Sequence, residues 1–271
     1  MSAIDMQQKP QKPQKPQKPQ KRLNDGDQHP CVDCDIRDVA ICSVLAPDEL
    51  NQLLAITRHV DFSHGQTIID EGEPADFLFN LTKGAMKLYK LLPDGRLQIT
   101  GFLFEGDFLG IALNEKYAYS AEAIGDVNLC RFPRQKLESL LDEFPHLEKR
   151  LLSVASNELA QAQDQILLLG RKTAREKVVS FLLTLSRRAV DRESNSSPVY
   201  LPMKRNDIAD YLGLTTETVS RFFTNLKSDG YIQLKVRGYV ELPDIEALEH
   251  VAEGMQPPYS QLIGTAISSR D

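Results

Sequence analysis

Between Val60 and Pro133 the short apolar runs QTIID, FLFNLTKG, AMKLYKLL, LQITGFLF and VNLCRF alternate with glycines at 65, 72, 84, 95, 106 and 125. Runs this short, separated by turn residues at regular spacing, predict antiparallel strands closing into a roll or barrel. The flanking pattern is helical. PDELNQLLAITRHV precedes the strands, RQKLESLLDEF follows them, and Pro145 stands where the first turn of a longer helix tolerates a missing N–H. Along that helix Leu152, Ala155, Leu159, Ala162, Ile166 and Leu169 recur at alternating steps of three and four, the spacing of a coiled-coil stripe. A helix packed on its own domain carries a similar stripe. The polar remainder, Ser156, Glu158, Gln161, Gln163 and Gln165, favours the seam of a symmetric dimer.

Beyond Arg171, the helical run KTAREKVVSFLLTLSRRAV and the polar loop DRESNSSP lead to RNDIADYLGLTTETVSRFFT. This last stretch has helix-turn-helix spacing. Ala209 is small where two helices approach, Gly213 supplies a permissive turn residue, and Val219 faces the core. Thr215 and Thr216 are N-cap residues for the second helix, whose solvent face would carry Thr216, Glu217, Ser220 and Arg221. YIQLKVRGYVEL then predicts two strands around Arg237 and Gly238, a wing.

Charge sharpens the division into parts. Residues 171–240 hold 13 Lys and Arg against 7 Asp and Glu, whereas residues 23–170 hold 12 against 24, so a basic module follows an acidic one within a net charge of -6. A basic module suits a phosphate-backbone partner. The opening Gln-Lys-Pro repeats offer no apolar face and predict a disordered tail. No apolar run reaches the length of a membrane span and the first thirty residues lack the apolar centre of a signal peptide, so a cytoplasmic protein is expected. The histidines, at 29, 59, 64, 146 and 250, have no ligand-like spacing, and no nucleophile motif or phosphate loop appears, so no enzyme is expected. The expected organisation is α+β. A tail (1–27) precedes a cysteine segment with an antiparallel β-roll (28–133). A dimerisation helix region (134–170), a winged helix-turn-helix (171–245) and a C-terminal tail (246–271) follow.

Three of the four cysteines crowd into CVDCDIRDVAIC, and the fourth is Cys130. In a reducing compartment such thiols point to metal or redox chemistry rather than disulfides. Cys31, Cys34, Cys42 and Cys130 supply the four thiolates of a 4Fe-4S cluster, and equally of tetrahedral zinc. Zinc sites usually pair two Cys-x2-Cys motifs, so three clustered ligands and one remote suit the cuboidal cluster better. An iron-sulfur redox enzyme is the rival of another class, but no second cluster motif or flavin or nicotinamide fingerprint accompanies the cysteines.

Roll, long helix and winged helix-turn-helix in this order resemble the Crp/Fnr family of bacterial transcription regulators over nearly all the chain after Asp27. ETVSR, with Glu217, Ser220 and Arg221, is similar to the recognition helix of the FNR branch. That resemblance implies a homodimer on double-stranded DNA with a TTGAT-N4-ATCAA palindrome, in contact with RNA polymerase. It also implies a 4Fe-4S cluster on three N-terminal cysteines and one near the end of the roll, as in VNLCRFP, and a response to oxygen. The longer gap before Cys42 departs from enterobacterial spacing and is similar to the alphaproteobacterial variant. Other members sense cyclic nucleotides through an arginine and a small hydroxyl in the roll. Here Tyr119 precedes Ser120 in place of that arginine, and no carboxylate follows Gly110, so no cyclic nucleotide is expected.

Overall fold

The computed structural model describes residues 34–111, 115–190 and 198–255; the Gln-Lys-Pro tail, Cys31 and the segment from residue 256 lie outside them. The glycine-punctuated runs form eight antiparallel strands: β1 (Arg58–Phe62), β2 (Thr67–Ile69), β3 (Phe77–Lys83), β4 (Ala85–Leu91), β5 (Leu97–Phe104), β6 (Phe108–Leu109), β7 (Ser120–Ala123) and β8 (Val127–Pro133). They make two four-stranded sheets, β1-β8-β3-β6 and β2-β7-β4-β5. Between the sheets Ile69, Leu81, Met86, Leu109, Ala121 and Leu129 are buried. One turn shows why glycine punctuates the pattern. Gly84 has φ of 93°, and a Cβ there would lie 2.4 Å from the Asp126 carbonyl oxygen, so only a residue without a side chain joins β3 to β4.

Alternation places a second apolar set on the outside of the first sheet. Leu78, Phe108, Cys130 and Phe132 face outward there and are covered by α1 (Pro47–Ile56), α2 (Arg134–Glu143) and the start of α3 (Pro145–Arg171), through Leu50, Leu53, Leu137, Leu140, Phe144 and Leu147. The cysteine segment joins the same cluster through Ile41 and Leu45.

The outer face of the second sheet is covered by the C-terminal lobe. That lobe comprises α4 (Ala174–Val190), β9 (Val199–Tyr200), α5 (Arg205–Leu212), α6 (Thr216–Ser228), β10 (Gln233–Leu234), β11 (Tyr239–Glu241) and α7 (Ile245–Ala252). Ala85, Tyr89, Ile99 and Phe102 of the roll share one core with Phe181, Ile208, Leu212, Val219 and Phe223. Phe102 lies 5.2 Å from the ring of Tyr211 and 6.0 Å from that of Phe181, in tilted and edge-on arrangements.

The structure corrects the expected C-terminal tail. Residues 245–252 form a helix, because Asp244 caps it by accepting from the Ala247 N–H at 2.9 Å and because Leu248, Val251 and Ala252 are buried against α4. The stripe on α3 is partly as expected. Leu152, Leu159 and Ile166 are 66%, 62% and 70% exposed, and Ala162 is also exposed, whereas Ala155 and Leu169 are half-buried. Leu169 turns toward the C-terminal lobe, where it packs on the shared core. Gln165, read from the sequence as a solvent-facing residue, donates instead to the Tyr211 carbonyl at 2.9 Å.

Replacing Phe102 by Ala removes an aromatic ring packed between the roll and the C-terminal lobe, and the expected loss of stability is about 3–5 kcal/mol. Urea unfolding followed by circular dichroism measures it; a loss below about 1 kcal/mol would mean that the contact is not closed in solution.

Candidate functional site

The helix-turn-helix is built by local chemistry. Helix α5 ends at Gly213, which takes the left-handed conformation (φ 61°, ψ 42°) that only glycine adopts without strain. The Thr215 hydroxyl then accepts from the Thr218 N–H at 3.2 Å and starts α6. Of the two predicted caps Thr215 is the one used, and Thr216 is the first helical residue. Val219, Phe223 and Leu226 bury one stripe of α6. The other side leaves Thr216, Glu217, Ser220 and Arg221 exposed within the first two turns. Four donor- or acceptor-bearing side chains at a helix N-terminus are what a recognition helix offers to base edges.

The wing forms as expected. Strands β10 and β11 pair antiparallel, and Arg237 and Gly238 both have positive φ, 60° and 81°, at the hairpin turn. The turn projects Val236, 82% exposed, between Lys235 and Arg237. Lys235, paired with Glu241 at 2.6 Å, and the exposed Arg237 give this tip cationic groups suited to a phosphate backbone.

The placement of this unit on the roll is not visible in the sequence. Asp207 is buried at the start of α5, where it accepts from the Lys204 N–H at 2.9 Å and pairs with Lys87 of β4 at 3.3 Å. Lys87 also pairs with Glu122 of β7 at 3.0 Å. Burial alone would lower the Lys87 amine, but the carboxylates of Glu122 and Asp207 outweigh it and hold the amine above its usual range. At the other end of α5, Gln98 of β5 donates to the carbonyls of Asp210 (2.7 Å) and Tyr211 (3.3 Å). The only hint in the sequence is the consecutive apolar run Phe102–Leu103–Phe104 in β5, since a strand covered on one side only would alternate.

The cysteines are placed unequally. Cys31 lies outside the described residues. Cys34 and Cys42 are half-buried, and Cys130 is buried on β8. Cys42, on a 3-10 turn (Ile41–Val44), packs on the apolar cluster to which Cys130 belongs. Among the described residues no three His, Cys, Asp or Glu side chains converge as a metal site, so the described part brings Cys42 and Cys130 onto one cluster and does not assemble the full ligand set. In the roll, the Tyr119 hydroxyl accepts from the Gly110 N–H at 3.1 Å. Burial pushes that phenol up to about 12, against the opposing effect of the Gly110 hydrogen bond.

Comparison with known proteins agrees with this geometry. Residues 59–144 match the cyclic nucleotide-binding domain and residues 176–251 the Crp-like helix-turn-helix domain. The chain is 45% identical over 224 residues to the nitrogen fixation regulation protein FixK of Bradyrhizobium diazoefficiens, covering 83% of this chain and 94% of that protein. It is 40% identical over 224 residues to the transcriptional activator protein FnrL of Cereibacter sphaeroides, covering 81% and 90%. The solved structure of FixK2 from Bradyrhizobium japonicum superposes with a TM-score of 0.67 at 35% identity, covering 72% of this chain and 96% of that one. A roll that carries a winged helix-turn-helix at the end of one long helix defines a transcription regulator and not an enzyme. The chain belongs to the Crp/Fnr family, whose members bind DNA as homodimers. No described helix is long and apolar enough to cross a membrane.

Thr215→Ala removes the cap of α6 and is expected to lower stability by about 1 kcal/mol. Ser220→Ala, on the exposed face, should change it by less than about 0.5 kcal/mol. Thermal unfolding of both variants checks the contrast.

Proposed function

We propose that this chain is a cytoplasmic, oxygen-responsive activator of transcription. As a homodimer it binds TTGAT-N4-ATCAA-like palindromes through α6, works with RNA polymerase, and holds a 4Fe-4S cluster on Cys31, Cys34, Cys42 and Cys130. The observation that carries the reading is the packing of Cys42 on the apolar cluster that contains the buried Cys130. A cysteine segment more than eighty residues before β8 in sequence thereby packs on the apolar cluster that contains the fourth thiol. The donor set fits: soft thiolates in an apolar surround suit iron-sulfur ligation. When bound, the cluster supplies an oxygen-labile link between the cysteine segment and β8.

The chain's own residues do the rest. Arg150 of α3 donates to the Val39 carbonyl at 2.7 Å, which ties the segment between Cys34 and Cys42 to the long helix. The exposed Leu152, Leu159 and Ile166 stripe offers the second protomer an apolar seam. Arg221 is placed to pair with guanine, Glu217 to accept from cytosine, and Ser220 and Thr216 to approach a base or a thymine methyl. Tyr119, bonded to the Gly110 N–H, stands before Ser120 where cyclic-nucleotide sensors of the family carry an arginine, which supports an effector other than a cyclic nucleotide. The names of the relatives, a nitrogen fixation regulator and transcriptional activators, support the activating role.

Anaerobically isolated protein is expected to be brown, to contain iron and acid-labile sulfide, and to bleach in air. Cys130→Ala should prevent stable assembly. A colourless protein with stoichiometric zinc would overturn the cluster and favour a structural metal. For DNA, Arg221→Ala is expected to cost about 1–3 kcal/mol per half-site, felt twice by the dimer, with specific binding nearly lost. Selection from random duplexes tests the assignment, and recovery of an unrelated palindrome would sink it.

A further inference from the structure

The register of the first sheet puts four side chains in one row across its outer face: His59 of β1, Cys130 of β8, Asn80 of β3 and Phe108 of β6. Directly opposed residues of antiparallel strands point to the same face with Cβ atoms roughly 4.5–5.5 Å apart. The His59 Nδ1 lies 3.8 Å from the Cys130 Sγ on one side. Asn80 occupies the other side. Both it and Cys130 are buried, at 3% and 7% exposure.

Asn80 is out of character for this face. The neighbouring positions in the strands are Leu78 and Phe132, and the covering residues are Leu50, Leu53, Leu137 and Leu140. The Asn80 Oδ1 is buried without a hydrogen-bond partner. A buried polar atom left so is costly, and leucine, of nearly the same shape, would avoid that cost. The carboxamide is therefore not accounted for by the packing of this sheet. What it adds beside Cys130 is an amide nitrogen with two N–H donors, and a metal-bound thiolate is a pure acceptor.

We propose that Asn80 is the outer polar partner of the Cys130 sulfur, donating a hydrogen bond to it when the thiolate binds metal and so slowing loss of the bound group. This rests on the reading of Cys130 as a ligand. Groups that hydrogen-bond to ligand atoms orient them and tune the site, and their removal typically weakens metal binding by roughly 10–100-fold. Hydrogen bonds to the sulfurs also help set the potential of an iron-sulfur centre.

Full-length wild-type protein and Asn80→Leu, both purified under argon, provide the test. Iron and sulfide are first counted in the wild type; if they are absent, the ligand reading falls and this inference falls with it. With the cluster present, Asn80→Leu should lose its visible absorbance to an anaerobic chelator about tenfold faster or more. The metal-free variant should melt at the same or a higher temperature than metal-free wild type, because an orphaned polar group has been replaced by an apolar one. Equal rates of loss would overturn the proposal while leaving the ligand reading intact. Faster loss together with a lower melting temperature of the metal-free variant would assign Asn80 to the fold alone and overturn it equally.

Discussion

Phe102, Phe181 and Tyr211 meet between the roll and the DNA-binding lobe, and the orientation of α6 depends on that contact. The three rings come from β5, α4 and α5, and their mutual spacings are 5.2 to 6.0 Å. Packing alone would leave α5 free to slide along the sheet, since apolar contact is not directional. The polar contacts fix it. Lys87 holds the Asp207 carboxylate at the first turn of α5, while Gln98 from the roll and Gln165 from α3 reach carbonyls at its last turn. The final carbonyls of a helix have no partners within it. Here side chains from two other elements supply them, so α5 is held at both ends and α6 follows through the fixed turn at Gly213.

The same roll explains the state of α3. Its first turns belong to the cluster outside the first sheet, through Leu147, Leu151 and Val154, and its last turns to the shared core, through Leu168 and Leu169. The stretch between carries Leu152, Leu159 and Ile166 into solvent. A helix of 27 residues anchored in two separate cores, with an apolar stripe exposed between them, presents a face suited to a partner. Homodimerisation, the habit of the family, would give such a face a second copy of itself to pair with.

Much of this was legible in the sequence because it is local. The helix-turn-helix depends on Ala209, Gly213, Thr215 and Val219, all within a dozen residues, and the wing on the adjacent Arg237 and Gly238. The roll was readable from glycines whose positive φ no other residue adopts cheaply, as at Gly84. The docking of the two lobes was not, since nothing near Gln98 in sequence announces that its amide reaches residues 210 and 211. The C-terminal helix was missed for a related reason: Leu248 and Val251 in a short, acidic stretch are ambiguous until α4 is there to receive them. Leu169 fitted the heptad spacing and yet turned partly inward, because periodicity cannot tell a dimer partner from the next domain of the same chain. Of the cysteines, the sequence offered four candidate ligands, and only sheet register could place Cys130 between His59 and Asn80.

The cysteine segment lies close to the start of the dimer stripe. Val39, between Cys34 and Cys42, is seated against the turn before β6, where a Cβ on Gly106 would come within 2.7 Å of its side chain. The absence of that Cβ makes the seat. On the opposite side Arg150 donates to the Val39 carbonyl, while its Nε is buried without a partner. A guanidinium so placed is expensive to leave in apolar surroundings if the carbonyl withdraws. Arg150 stands two residues before Leu152, the first member of the stripe. Val39, between Cys34 and Cys42, is thereby one hydrogen bond and half a helical turn from Leu152, the first exposed leucine of α3.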